Sequence, residues 1–339
     1  MVRQLERLMS GRVDQVTTDA AGNLLVRHGH GPRALTFLGH VDTVPGEVEV
    51  EQREGALYGR GSVDAKGPLC AALAALARLP EAARERLTVR VVGAVGEEAP
   101  GSVGARHAVE TLPKPELLVI CEPSGWDAVT LGYKGHLRLR LEVSRPSGHA
   151  AGPEPSAADR LVSSLAALRA SCSALNDPGA AAFDTLQTTV LSLDHAHDGL
   201  EERASAVVGV RLPPLWPAER LEESLGDEWR AEGVTVAQEE SICAVRGERD
   251  SVLARAFRTA IRASGGRPRS VVKTGTSDWN VVAPVWDVPT LAYGPGDARL
   301  DHAPNEHLEL AEYDAAVEVV LAVLKRHSLE AERHSPDNL

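Results

Sequence analysis

Nothing in the 339 residues reads as a membrane span. The longest apolar segments, such as LCAALAALARLP from Leu69 to Pro80, are too short and too rich in alanine to cross a bilayer. The opening MVRQLERLMSGR has no apolar signal core, so the chain is expected in the cytoplasm, with no membrane partner. Paired cysteines are missing too. Cys70, Cys121, Cys172 and Cys243 are widely spaced, form no CxxC and sit among apolar neighbours, which disfavours disulfides and thiolate zinc ligands and predicts small buried thiols. An excess of positive charge is also absent: 36 Lys and Arg against 48 Asp and Glu leave a net charge of -12, which argues against nucleic acid as a partner. No GxSxG frames a serine, Ser62 in GRGSVD included, so a serine-hydrolase elbow is excluded.

What is present is enough for two domains, since 43% of the residues are hydrophobic and can bury a core in each. The first part alternates strands and helices. ALTFLGH (Ala34 to His40), LTVRVVGAV (Leu87 to Val95) and LLVICEP (Leu117 to Pro123) are apolar runs suited to strands buried on both faces, and AKGPLCAALAALARL between them has helical spacing and Gly67-Pro68 near its start. This pattern predicts a mostly parallel, mixed sheet with helices on both faces. From about Gly132 the texture changes. HLRLRLEVS alternates Leu137, Leu139, Leu141 and Val143 with charged residues, a sheet with one wet face. A helix capped near Ser156, the strands DTLQTTVLSLD and RASAVVGVRLP, a helix over WPAERLEESLGDEWRAEG and the strand VTVAQEES follow, so the order βαββαβ predicts an inserted ferredoxin-like α+β unit. After Gly247 the α/β texture returns, with a helix from about Ser251 to Ala263, strands SVVK and TLAYG and a closing helix from about Ala311 to His327. The expected division is 1–131 with 247–339 as a catalytic, metal-binding domain and 132–246 as a lid; the tail after Ser328 is polar and expected to be loose.

In a parallel α/β sheet, ligands bind outside the carboxyl ends of the strands. His40 and Asp42 sit at such an end, Asp64 lies in GRGSVDAKGP, Glu97 and Glu98 in VVGAVGEEAPGS, and Glu122 in VICEPSG. Singly, each acid reads equally well as a cap or a loop residue. Jointly, carboxylates converging on one edge would repel unless a cation sat among them. Histidine with carboxylates and no thiolate suits zinc, cobalt or manganese better than calcium. GPGDARLDHAPNEHLEL supplies a second imidazole, His302 being preferred as nearer the strand end and His307 reading as the start of the last helix.

GHVDTVPG, GRGSVDAKGP, GEEAPGS, CEPSG and DHAPNEH, in that order, resemble the metal motifs of the co-catalytic zinc aminoacylase, carboxypeptidase and desuccinylase family. The resemblance spans nearly the whole chain and implies a zinc-exopeptidase-like fold, two zinc or cobalt ions per subunit, a homodimer formed through the lid, and a metal-dependent amidohydrolase. It implies that His40 and Glu122 serve one metal, Glu98 and His302 the other, and Asp64 bridges them. Asp42 would hydrogen-bond His40 and fix its tautomer. Glu97 would be the general base towards water activated at the metals. A cis peptide is implied after Asp64. In the lid, SGHAAGPEP resembles the family's histidine motif, so His149 would hydrogen-bond the oxyanion, in many members from the neighbouring subunit, and Arg211 matches an arginine that often meets a substrate carboxylate. Family members usually carry a further N-terminal helix before the segment matching MVRQLERLMSGR, and here that element is short or missing.

EPSGWDAVTLGYKG, VVKTGTSDWN and AYGPGDARLDH resemble one branch more than the others. That branch releases lysine, in some organisms ornithine, from the terminal glutamate of an acidic amino-group carrier protein in lysine and arginine biosynthesis. On this resemblance Lys273, Thr274, Gly275, Thr276, Ser277 and Asp278 would bind the substrate's carboxylate and polar groups. Lid arginines 138, 140, 145, 160 and 169 could offer an acidic carrier a basic patch, or could be a solvated face. An acetylornithine deacetylase, a succinyl-diaminopimelate desuccinylase or a dipeptidase would use the same chemistry. A non-catalytic binding protein on this fold would be expected to lack Glu97, and a carboxylate-only glycosidase would leave His40 and His302 without work.

Overall fold

The structure is a computed structural model and describes residues 1–332. Two compact units emerge: Met1–Gly132 with Gly247–Val272 and the chain from Ser277 onward, and Tyr133–Arg246 with Lys273–Thr276.

The larger unit is built on a mixed sheet in the order Gln15–Thr18, Leu24–His28, Leu87–Ala94, Arg33–His40, Leu117–Ile120, Thr290–Ala292 and Ala128–Tyr133, with Arg269–Lys273 also on the last of these. Its four middle strands are parallel: Arg33–His40 lies between Leu87–Ala94 and Leu117–Ile120, and Thr290–Ala292 runs beside the latter. The flanking strands are antiparallel. The apolar runs form these middle strands because both faces are covered. Phe37, Val89, Val91 and Val119 enter one core with the helices Val2–Met9, Lys66–Ala77, Val252–Ala263 and Leu310–Glu332. Helices Val103–Thr111 and Asp278–Val282 lie outside that cluster and pack on each other, the former also on Leu87–Ala94.

Register decides where the strands stop. His40 pairs with Ala94 and Leu38 with Ile120, so His40 and the segments that follow Ala94 and Ile120 leave the sheet along the same edge. Gly39 is required just before the histidine: a Cβ there would come within 2.6 Å of the Cys121 Cβ, just past the end of the neighbouring strand. A small antiparallel sheet of Glu51–Arg53, Ala56–Tyr58 and His307–Glu309 completes the unit. His307 is therefore in a strand, not at the start of the last helix, and its ring stacks on Tyr58 at 4.7 Å.

The second unit has the βαββαβ order: strand Gly135–Pro146, helix Ala157–Ala174, strands Gln187–His197 and Glu201–Leu212, helix Ala218–Leu225, strand Thr235–Ile242. Its sheet is antiparallel, ordered Gln187–His197, Glu201–Leu212, Gly135–Pro146, Thr235–Ile242, as a ferredoxin-like unit requires. Leu137, Leu139, Leu141 and Val143 face its core with Leu161 and Leu168 of the first helix, which Ser156 caps with a capping box. The second helix is shorter than expected. It ends at Leu225 because Gly226 takes φ +56°, ψ -153°, which is not helical, and Trp229 then folds back into the core.

Two other expectations change. Cys121 and Cys172 are buried, but Cys70 is half-buried and Cys243, just past the last strand of this sheet, is exposed. The closing helix continues to Glu332, so the first residues of the expected loose tail are helical; the rest of that tail lies outside the described residues. Among the described residues no helix is long and apolar enough to cross a membrane.

Candidate metal centre

The shared sheet edge gathers imidazoles and carboxylates from segments far apart in sequence. His40, 1% exposed, has its Nε2 3.1 Å from Asp64 Oδ1 and 3.7 Å from Glu122 Oε1. His302 Nε2 is 3.0 Å from Asp64 Oδ2 and 3.2 Å from Glu98 Oε1. One carboxylate thus turns one oxygen to each histidine. Among the described residues, three groups could each hold a metal ion with ligand atoms within 4.8 Å of one another: His40, Asp64 and Glu122; Asp64, Glu98 and His302; and His40, Glu97 and Glu98. The first two share Asp64.

Local chemistry holds these groups in place. His40 Nδ1 lies 3.1 Å from the Asp42 carbonyl oxygen and 3.8 Å from the Asp42 carboxylate. With Nδ1–H donating to that carbonyl, Nε2 is the ring nitrogen left facing Asp64 and Glu122; it donates to Asp64 when protonated and would give its lone pair to a metal held there. The partner that orients the histidine is the backbone of Asp42, not its side chain as expected. The side chain accepts the N–H groups of Glu97 and Glu98 at 3.3 and 3.1 Å, so it fixes the turn that carries both acids. The Asp64–Ala65 peptide is cis, and His302 takes φ 61° in the left-handed region.

Sequence reasoning passed over Glu306, which lies between the two histidines of DHAPNEH. It is 1% exposed, and its carboxylate accepts from the N–H groups of Gly61, Val63 and Asp64 at 3.0, 2.9 and 3.0 Å and from Arg60 at 2.9 Å. Only its place in a histidine-bearing motif could have drawn notice. Asp278, expected in the substrate loop, is instead 2% exposed, and its charge acts on Glu97.

The electrostatics are those of crowded acids. Burial, then the field of Asp278, raises the Glu97 pKa well above the usual carboxylate value, with Glu122 and Glu98 adding and His40 opposing. Burial and Asp64 raise Glu98, opposed by His302 and His40. Burial pushes Asp278 to about 7. His40 would be depressed by its burial, but the Asp64 hydrogen bond and the charges of Glu122, Glu97 and Asp64 hold it well above its ordinary value. Such a set strains towards protonation, and a divalent cation relieves the same repulsion without protons. Two imidazole nitrogens and three ligand carboxylates fit a borderline divalent metal.

The remaining site residues belong to none of these groups. His149 is exposed in the second unit, after the strand Gly135–Pro146, where its Nδ1 accepts from the Ala151 N–H at 3.1 Å. Arg211 is in the same unit, its guanidinium 3.4 Å from Thr276 Oγ1 and its pKa lowered by burial. A cavity of about 640 Å³ there is lined by Arg169, Arg211, Thr274 and Gly275 among others, and Lys273 lies 5.9 Å from the Tyr133 ring. Ser277 belongs to the larger unit and is not offered to a ligand: it is buried and caps the helix Asp278–Val282, accepting from the Trp279 N–H. Of the two readings of the arginines in this unit, the ion pairs favour the solvated face over the basic patch: Arg138 and Arg140 pair with Glu239, Arg145 with Glu202, and Arg160 with Glu154 and Glu232.

Comparison with known proteins accords with this geometry. The model of peptidase family M20/M25/M40 matches residues 36–326. A LysW-lysine hydrolase of Deinococcus radiodurans is 45% identical over 94% of this chain and 89% of its own. A protein of Thermococcus kodakarensis assigned provisionally as a LysW-lysine/LysW-ornithine hydrolase is 34% identical over 98% of this chain and 88% of its own. In fold, an M20 family metallo-carboxypeptidase of Sulfolobus solfataricus superposes with a TM-score of 0.76 at 18% identity, covering 97% of this chain and 94% of that one. With a family match across most of the chain and hydrolases for relatives, the protein belongs to peptidase family M20/M25/M40 and is a hydrolase.

Proposed function

We propose that this hydrolase frees lysine, or ornithine, from the terminal glutamate of an acidic amino-group carrier protein, with two divalent ions, zinc or cobalt, in its centre. The observation that carries the substrate is the 45% identity, over 94% of the chain, to the Deinococcus LysW-lysine hydrolase. The placement of Asp64 between His40 and His302 supports the metal chemistry. His40, Asp64 and Glu122 would hold one ion, and Asp64, Glu98 and His302 the other. Ions so held acidify water and polarise the scissile carbonyl.

The rest falls to the chain's own groups. Glu97 takes the proton of the attacking water and returns it to the departing α-amine. A carboxylate whose pKa is raised by burial and by Asp278 is suited to both transfers. His149, from the neighbouring copy of a homodimer joined through residues 132–246, donates to the oxyanion. Arg211, Lys273 and the backbone and hydroxyls of Thr274, Gly275 and Thr276 take the substrate's polar groups. The protein works in the cytoplasm, in lysine or arginine biosynthesis.

The test is hydrolysis of carrier-linked γ-glutamyl-lysine and γ-glutamyl-ornithine beside N-acetylornithine and succinyl-diaminopimelate. Release from the carrier is expected to exceed turnover of the acyl substrates; the reverse order would keep the metal centre and discard the carrier. Lys273→Met is expected to raise KM about tenfold with kcat nearly unchanged, as for a group that binds substrate and transition state alike. An effect on kcat alone would remove Lys273 from binding.

A further inference from the structure

We infer that Arg60 and Glu306 form a latch that positions the loops carrying the metal ligands, so that Glu306 sets metal affinity without touching metal. The inference rests on the reading that Asp64 and His302 hold metal.

The Glu306 carboxylate is fully used. Oε1 accepts from Val63 and Asp64, and Oε2 from Gly61 and Arg60. Arg60 carries the link further: Nε donates to the Gly46 carbonyl at 3.1 Å, and the same terminal nitrogen that meets Glu306 also donates to the Ala303 carbonyl at 3.1 Å. Gly46 ends the GHVDTVPG segment of His40 and Asp42, while Ala303 follows His302, whose backbone is left-handed. One ion pair therefore ties three ligand-bearing segments, two of them 14 positions apart and the third more than 240 positions on.

Stability alone is a poor reason for this arrangement. The Glu306 side chain is 1% exposed and that of Arg60 14%, and withdrawing both charges from water offsets much of their attraction. Positioning is a better reason. Three amides converge on one carboxylate, and the last belongs to Asp64, whose two oxygens must meet two imidazoles at once. Partners outside the ligand set typically change metal affinity by about 10- to 100-fold when altered.

The experiment measures zinc affinity by chelator competition, with melting temperatures of the metal-free and zinc-loaded proteins, for wild type, Glu306→Gln, Arg60→Lys and Asp64→Asn. Glu306→Gln is expected to weaken zinc binding by about 10- to 100-fold. Arg60→Lys keeps the charge but cannot reach both carbonyls, and is expected to lose less in the same direction. A simple brace would lower the metal-free melting temperature and leave affinity unchanged, and that result overturns the latch. If Glu306→Gln fails to fold, Arg60→Lys decides by the same criterion. Asp64→Asn separates the two readings. Wild-type zinc affinity in that variant would sink the metal centre itself, whereas zinc lost there but retained in Glu306→Gln would sink the latch alone.

Discussion

Glutamine at position 97 is expected to lower kcat/KM by about 10²- to 10⁴-fold while zinc content stays at the wild-type value. The amide keeps the shape of the carboxylate and cannot accept a proton from water. Zinc content matters because Glu97 also falls, with His40 and Glu98, into a group able to hold a metal. Asp64 already serves both histidines, and Glu122 and Glu98 complete the two groups around it without Glu97. Glu97 is held instead by burial and by the neighbouring Asp278, which keep its proton affinity high. The check is steady-state kinetics beside metal analysis of the same preparation. Zinc lost with activity would make Glu97 a ligand, and activity retained would place the base elsewhere.

The parts of this site that could be read in the sequence are those that local pattern dictates. Parallel strands buried on both faces are continuous apolar runs, so Arg33–His40, Leu87–Ala94 and Leu117–Ile120 were visible as strands, and acids just beyond their ends were visible as a converging set. What escaped depends on contacts distant in sequence. The strands Glu51–Arg53 and His307–Glu309 are three residues long and exist through pairing with Ala56–Tyr58, which no periodicity announces. Glu306 is likewise defined by amides more than 240 positions away. Patch and solvated face were equally open for the arginines of the second unit because a sequence does not show which acids meet them; Glu239, which takes Arg138 and Arg140, enters only with the last strand of that sheet. The burial of Asp278 is hidden for a similar reason. A polar TGTSD loop suggests exposure, and only the helix capped by Ser277, packed on Val103–Thr111, buries its acid beside Glu97.

Asp64→Asn is expected to be the more severe change, lowering kcat by about 10³-fold or more and reducing zinc below two ions per chain, because several kcal/mol of charge stabilisation reside in the metals and each 1.36 kcal/mol is tenfold in rate. In the two groups that share Asp64, His40 and Glu122 belong to one and Glu98 and His302 to the other. Asp64 belongs to both, with Oδ1 3.1 Å from His40 and Oδ2 3.0 Å from His302. An asparagine there offers one neutral oxygen and one amide, so at most one side keeps an acceptor and neither keeps the charge. Removing metal from the wild type with a chelator should reproduce the loss, and added zinc or cobalt should restore the wild type but not the variant. The ordering is diagnostic. Glu306→Gln loosens the Asp64 backbone, which the Glu306 carboxylate holds, and should be rescued by excess zinc, whereas Asp64→Asn should not. Full activity in metal-free wild type, or rescue of Asp64→Asn by zinc, would show that this carboxylate does not join two metal sites.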